Sequence, residues 1–221
     1  DYSKGNRFRN MAYIRPMPTI RKIGNAGLSL LNKIASGYWN VFDPTNGYIA
    51  IRSSVFAMLP TSFVHDRYFF ESSMLIALGI IGAVVHDVPM PARYGIETSH
   101  LSIRRTMIEF PRLLAQGFAR RFWYSKCLYN FSMEAMLTIG GVPLVLAGLI
   151  YGSIEYYKYA VVLGVAAPSG TVMASALPLI LGIQMLQTAL LLDVQAVPKD
   201  PISERLDSAH APWEPDQGTW K

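Results

Sequence analysis

Apolar positions change period several times along this chain. From Thr19 to about Ala35 the positions Ile20, Ile23, Gly27, Leu31 and Ile34 recur at helical spacing, with Arg21, Asn25 and Asn32 among the polar positions. That period predicts an amphipathic helix whose stripe lies on a folded domain. Residues 38 to 42 and 47 to 52 predict two strands flanking Asp43-Pro44-Thr45-Asn46-Gly47. Thr61 to Leu78 predicts a second helix after Pro60, and Val84 to Val88 a core strand before Pro89. Between residues 101 and 122, Ile103, Met107, Phe110, Leu114 and Phe118 share one helical face, with Arg105, Glu109, Arg112, Gln116 and Arg120 opposite. Pro111 must start a second helix there or kink this one.

Beyond residue 128 the polar positions thin out. Residues 133–150 are apolar apart from Glu134, and residues 171–192 form a second apolar run carrying Pro178, Gly182, Gln184 and Gln187. Each approaches the ~20 residues needed to cross about 30 Å of hydrocarbon. Phe122, Trp123, Tyr124 and Tyr129 precede the first run, and Tyr151, Tyr156, Tyr157 and Tyr159 follow it, like two aromatic belts. An arginine-rich amphipathic segment directly ahead of such a run predicts an interfacial helix on the lipid headgroups. The loop 153–170 holds only Lys158, against six Arg/Lys between residues 104 and 126, so the positive-inside rule predicts a multi-pass membrane protein with both termini cytoplasmic. Gly148 and Gly152 would let helices approach closely, and Gln184 and Gln187 share a face that suits a homo-oligomer. Two spans with no buried charge pair offer a transporter no pathway. Residues 198–221 are polar and Pro-rich, which predicts disorder.

Charge sharpens this picture. The 221 residues are 51% hydrophobic with formal net charge +5, but residues 1–127 carry about +9 and residues 128–221 about −4. That asymmetry points to anionic lipid or phosphate partners at the front. Lys4, Arg7, Arg9, Arg15, Arg21 and Lys22 are too dispersed for a nucleic-acid block, so they read as a phosphate-contacting loop or a solvated basic surface. Cys127 is the sole cysteine, so no internal disulfide forms. The abrupt, loop-like opening is expected of a fragment.

The chemistry gathers around Asp43. A residue before proline is pushed toward the extended region, Pro44 fixes its own φ, and Asn46-Gly47 tolerates a sharp turn. Asp43 thus either caps the turn or presents a charge to a cleft. His65-Asp66 and His86-Asp87 invite a metal reading, but adjacent side chains point to different faces, so no metal site is assigned. Arg93, in a loop after the last strand, could clamp a phosphate or lie on the surface.

Asp43-Pro44-Thr45-Asn46-Gly47-Tyr48 resembles the signature of polyprenol-phosphate glycosyltransferases, the dolichol-phosphate-mannose-synthase-like branch of glycosyltransferase family 2. Three further blocks agree in order: residues 1–8, similar to a basic loop; residues 67–75, similar to an acidic helix; and residues 87–95, similar to the strand and loop that close the domain. The resemblance runs to about Pro201. The family often shows a second acid two positions after Glu71, where this chain has Ser73.

The resemblance implies an α/β fold plus membrane α-helices. Residues 1–100 would be the C-terminal part of a cytosolic, Rossmann-like glycosyltransferase A domain. Residues 101–127 would be an interfacial amphipathic segment, and residues 128–197 a hairpin of two transmembrane helices. The implied function is inverting transfer of a sugar from a nucleotide-sugar to a polyprenol phosphate, for glycan or cell-envelope assembly. Asp43 would orient the acceptor or act as base, Lys4, Arg7 and Arg93 would neutralise phosphates, and Asn46 and Glu71 would line the cleft. Mg²⁺ or Mn²⁺ would be held by residues upstream of this fragment, which alone is expected to be inactive. The alternative is a non-catalytic membrane anchoring or assembly subunit that binds anionic lipid.

Overall fold

The computed structural model describes residues 1–7, 19–44, 46–90, 103–129 and 131–210; the side chains of residues 19–23, 67, 103–108 and 207–210 are not described. The described chain is mostly helical, with one small sheet, and divides into two compact units. Residues Asp1–Phe118 and Val197–Lys221 form the first, and Ala119–Ala196 the second.

The first unit is built on strand β1 (Tyr2–Asn6), flanked by β2 (Ile49–Ile51) and β3 (Val85–Pro89) in the order β2-β1-β3. β1 runs antiparallel to β2, pairing Ser3 with Ala50, and parallel to β3, pairing Tyr2 with Val85 and Lys4 with Asp87. The stretch expected as a basic loop is therefore the central strand. Its own alternation explains this: Tyr2, Lys4 and Asn6 share a face with Val85 and Asp87, and all five are buried. This inner face is apolar at one end and polar at the other.

Helix α1 (Thr19–Ser36) forms where its period predicts, but the expected stripe is not the face it buries: Gly27 and Leu31 are exposed, whereas Ser29, Asn32 and Ala35 are buried. Residues 38–42 form no strand, because their amides bond elsewhere: Trp39 N–H to Gly37 O, Val41 N–H to Tyr38 O, and Phe42 N–H to the Asp87 carboxylate. A short helix α2 (Ser53–Met58) follows β2. The expected helix over residues 61–78 is interrupted. Two 3₁₀ turns, Thr61–Phe63 and Arg67–Phe69, precede α3 (Phe70–Ile81), which is buried on nearly all sides. Such a helix shows little amphipathic period, so its start was hard to read. Asn32 on α1 donates to Ser72 Oγ on α3 at 2.6 Å. Tyr2, Tyr38, Val41, Val55, Leu75, Leu78 and Val85 make the core.

Helix α4 (Ile103–Arg121) continues through Pro111. Its described polar positions Glu109, Arg112, Gln116 and Arg120 are exposed, as the period predicts. Phe110 and Leu114, however, are buried; Phe110 meets Phe69 edge-to-face at 5.5 Å, and Gly117 lies against Ile76. Of the stripe expected on headgroups, Phe110 and Leu114 are thus covered by protein and Phe118 partly so. The tail differs from expectation too, because residues Ile202–His210 form a helix, α7. The Asp1 carboxylate caps it, accepting from Ile202 N–H at 2.8 Å and Ser203 N–H at 2.9 Å, and Ile202 lies on the core. A cap some 200 residues away leaves no local signal. Residues 211–221 lie outside the described residues.

The second unit is a hairpin of α5 (Met133–Tyr156) and α6 (Ser169–Gln195). One π-helical stretch, Phe122–Leu128, continues α4, and another, Tyr157–Leu163, continues α5. The chain stays helical from Met133 to Leu163, so the expected loop shrinks to residues 164–168; Gly164 and Pro168 are its first breakers. Both helices are long and apolar enough to cross a membrane, and little of their surface is buried by the protein. A methyl group on Gly182 would meet Gly141 O at 2.8 Å, and one on Gly148 would meet Ser175 O at 2.9 Å. Gly148 therefore serves contact within the hairpin. Gln184 and Gln187 are exposed.

The hairpin also carries charges that the sequence reading had not paired. Arg121 grips Asp193 through two hydrogen bonds, Nη1 to Oδ1 at 2.8 Å and Nη2 to Oδ2 at 3.2 Å. Lys126 pairs with Glu134 and lies 3.5 Å from Asp193. These four groups lie at helix ends and are largely buried, so the hairpin does hold a buried charge pair.

Candidate functional site

The polar end of the inner sheet face meets the turn that carries Asp43. Asp43 to Asn46 closes through Asn46 N–H to Asp43 O at 3.5 Å. Gly47 does not take a positive φ, and Asn46 ties the turn to the sheet. Its Nδ2 donates to Gly5 O at 2.8 Å, its Oδ1 accepts from Tyr48 N–H at 3.1 Å, and its carbonyl accepts from Lys4 Nζ at 2.6 Å. Asn46, expected to line a cleft, is a buried brace between turn and strand.

Asp43 is fully buried and held by Arg7. The guanidinium donates from Nε to Oδ2 at 2.7 Å and from Nη2 to Oδ1 at 3.0 Å, and the Arg7 backbone N–H adds a contact to Oδ2 at 3.3 Å. This is the bidentate, charge-assisted arrangement that a planar guanidinium favours. The Arg7 side chain is 33% exposed, so the pair is enclosed on the carboxylate side and open on the arginine side.

Lys4 is fully enclosed, and burial lowers its ammonium to about 8 against the opposing pull of Glu71, Asp43 and Asp87. Expected to meet phosphate, it instead joins strand to turn. Glu71, in the first turn of α3, lies beside Gly47: a methyl group there would sit 3.5 Å from Glu71 Oε1. Burial, and then the Glu71 charge, push the Tyr2 phenol well above its usual range. Ser73, where the family often has an acid, accepts from His65 N–H at 2.8 Å and donates to Phe70 O at 2.9 Å. Arg93 lies outside the described residues.

The structure thus brings Lys4, Arg7, Asp43, Asn46 and Glu71 to one end of the sheet. It adds Asp87, which the sequence reading considered only as a metal ligand. The missed signal was the strand alternation, which places Asp87 on the buried face with Val85. Among the described residues no group of three or more His, Cys, Asp or Glu side chains could hold a metal ion. Both Asp43 oxygens already receive Arg7, so the described residues here do not fit Mg²⁺ or Mn²⁺. Comparison with protein-family models, curated proteins and solved structures finds no match to this chain.

Proposed function

We propose that this chain belongs to a membrane-anchored inverting glycosyltransferase that moves a sugar from a nucleotide-sugar to a polyprenol phosphate. Residues 1–100 would be the acceptor-side part of its Rossmann-like glycosyltransferase A domain. What carries the reading is the Arg7–Asp43 pair, a buried carboxylate on a Pro-fixed turn joined to a guanidinium that solvent reaches. An arginine has five N–H donors in a fixed fork, so Arg7 can approach a phosphate while it orients Asp43. A phosphate acceptor is already anionic at neutral pH. Asp43 therefore orients the acceptor and need not be a strong base. Glu71, beside Gly47, shapes the same region. Nucleotide-sugar and metal contacts are assigned to other parts of the enzyme.

The test is transfer by the complete enzyme in detergent, read as lipid-linked sugar over a panel of nucleotide-sugars. Asp43→Asn keeps the size and removes the charge, and should lower turnover by roughly 10²–10⁴-fold. Turnover within a fewfold of wild type in a folded protein would reduce Asp43 to a turn residue. No transfer from any donor, with binding to anionic vesicles retained, would favour the anchoring-subunit reading. The two long apolar helices support a membrane hairpin, and the excess of Arg/Lys between residues 104 and 126 supports both termini being cytoplasmic. A reporter after Lys221 should then be cytoplasmic and one near Glu155 external; finding both on one side would break the hairpin.

A further inference from the structure

We propose that Asp87 is the positioning residue that sets the Arg7–Asp43 pair. The proposal rests on the reading of that pair as the acceptor site. A single carboxylate oxygen, Asp87 Oδ2, accepts from Asn6 Nδ2 at 2.7 Å and from Phe42 N–H at 3.0 Å. Asn6 and Phe42 immediately precede Arg7 and Asp43. The same atom therefore ties both chain segments one residue before the two partners meet. Asn6 is the last residue of β1 and pairs with Pro89, so Arg7 lies just beyond the ladder, and residues 38–42 form no strand, so both partners sit on backbone outside regular structure. Without a cross-tie, each would have to order its backbone separately to bring guanidinium and carboxylate into register. β3 supplies this tie from a rigid element, because Asp87 stands opposite Lys4 in the parallel ladder.

The charge is needed as well as the shape. Asp87 is only 6% exposed, and its second oxygen, Oδ1, is buried with no hydrogen-bond partner among the described residues. A group serving stability alone would more economically be apolar, or satisfied on both oxygens. The ammonium groups of Lys4 and Lys33 both lie within electrostatic reach and offset the buried charge. Lys33 is itself held 5.0 Å from the Phe42 ring centre. Asp87 touches neither Arg7 nor Asp43 by any of these bonds; it acts through Asn6 and Phe42.

The test reads the pair directly. The Arg7 Nε–H resonance is followed in the complete, detergent-solubilised protein with nitrogen-15 arginine, and its solvent exchange is measured. Exchange should be slow in wild type and about tenfold faster in Asp87→Asn, as local opening of the pair becomes easier. The swap Asn6→Asp with Asp87→Asn restores a donor–acceptor pair and should bring exchange back toward wild type. Ser72→Ala, which cuts a buried bond elsewhere in the unit, should leave Arg7 unchanged. Should Asp87→Asn fail to fold, Asn6→Ala breaks one arm only and should move Arg7 in the same direction. Exchange within twofold of wild type in either folded variant overturns the proposal. In the transfer assay, turnover should fall by up to about 10²-fold with donor KM nearly constant, the signature of misplacement. If wild type transfers nothing, the glycosyltransferase reading fails, while the exchange data still decide whether Asp87 sets the pair.

Discussion

Each unit holds an aspartate gripped by an arginine through two hydrogen bonds, Arg7–Asp43 in the first and Arg121–Asp193 in the second. The bond lengths are similar; the surroundings are not. Arg7 is 33% exposed, whereas Arg121 is 4% and Asp193 8% exposed. Arg121 is enclosed together with Lys126 and Glu134, so its charge is cancelled and solvent is largely kept out. Asp43 is equally buried, but its partner reaches water. An ion pair closed on both sides can only hold elements together. One open on the cationic side can also meet an anion, which is why the first carries the functional reading and the second does not.

The comparison can be broken most directly at Asp193. Asp193→Ala leaves Arg121 charged and buried, which should destabilise the second unit by about 3–5 kcal/mol in denaturant titration. Replacing both partners, Arg121→Met with Asp193→Leu, should recover most of that loss, because a buried pair contributes little net stability over apolar residues of similar size. If the single and double variants were equally unstable, the hairpin would depend on the charges themselves. Asp43→Ala should cost the first unit less, about 1–2 kcal/mol, since Arg7 can turn to water.

A separate effect expected is a pH dependence of Lys4. Burial lowers its folded pKa to about 8, against 10.5 unperturbed. Between those values the unfolded chain binds more protons than the folded one, so stability should rise as pH climbs from about 8 toward 10.5. Below about 8 the cost of keeping a buried ammonium is fully present. Melting curves of wild type and Lys4→Met, compared across this window, should diverge in wild type's favour as pH rises. A constant difference would mean that Lys4 is solvated well enough to keep an ordinary proton affinity.

Several features were legible in the chain because they depend on neighbours. Helix α1, strand β3 and the two long apolar helices follow from periods and runs within each segment. The turn at Asp43 follows from Pro44 and Asn46. Even Asp87 could have been placed inside, since alternation puts it on the face of Val85. The expected strand over residues 38–42 failed for the opposite reason: its amides found partners that the local pattern does not contain. So did the expected disorder of the tail, where Asp1 caps α7.

What the tertiary structure alone decided is which charge meets which. Arg7 and Asp43 are 36 positions apart, Asn6 and Asp87 81, and Arg121 and Asp193 72. A sequence displays a residue's propensity and the face it occupies, because both are set within a turn of helix or two steps of strand. It does not display the partner that neutralises a buried group, because burial makes almost any opposite charge acceptable and chain topology selects the one that arrives. Lys4 and Arg7 looked alike as basic residues of one segment. Strand alternation and the fold put Lys4 inside against Asn46 and left Arg7 at the strand's end, between Asp43 and water.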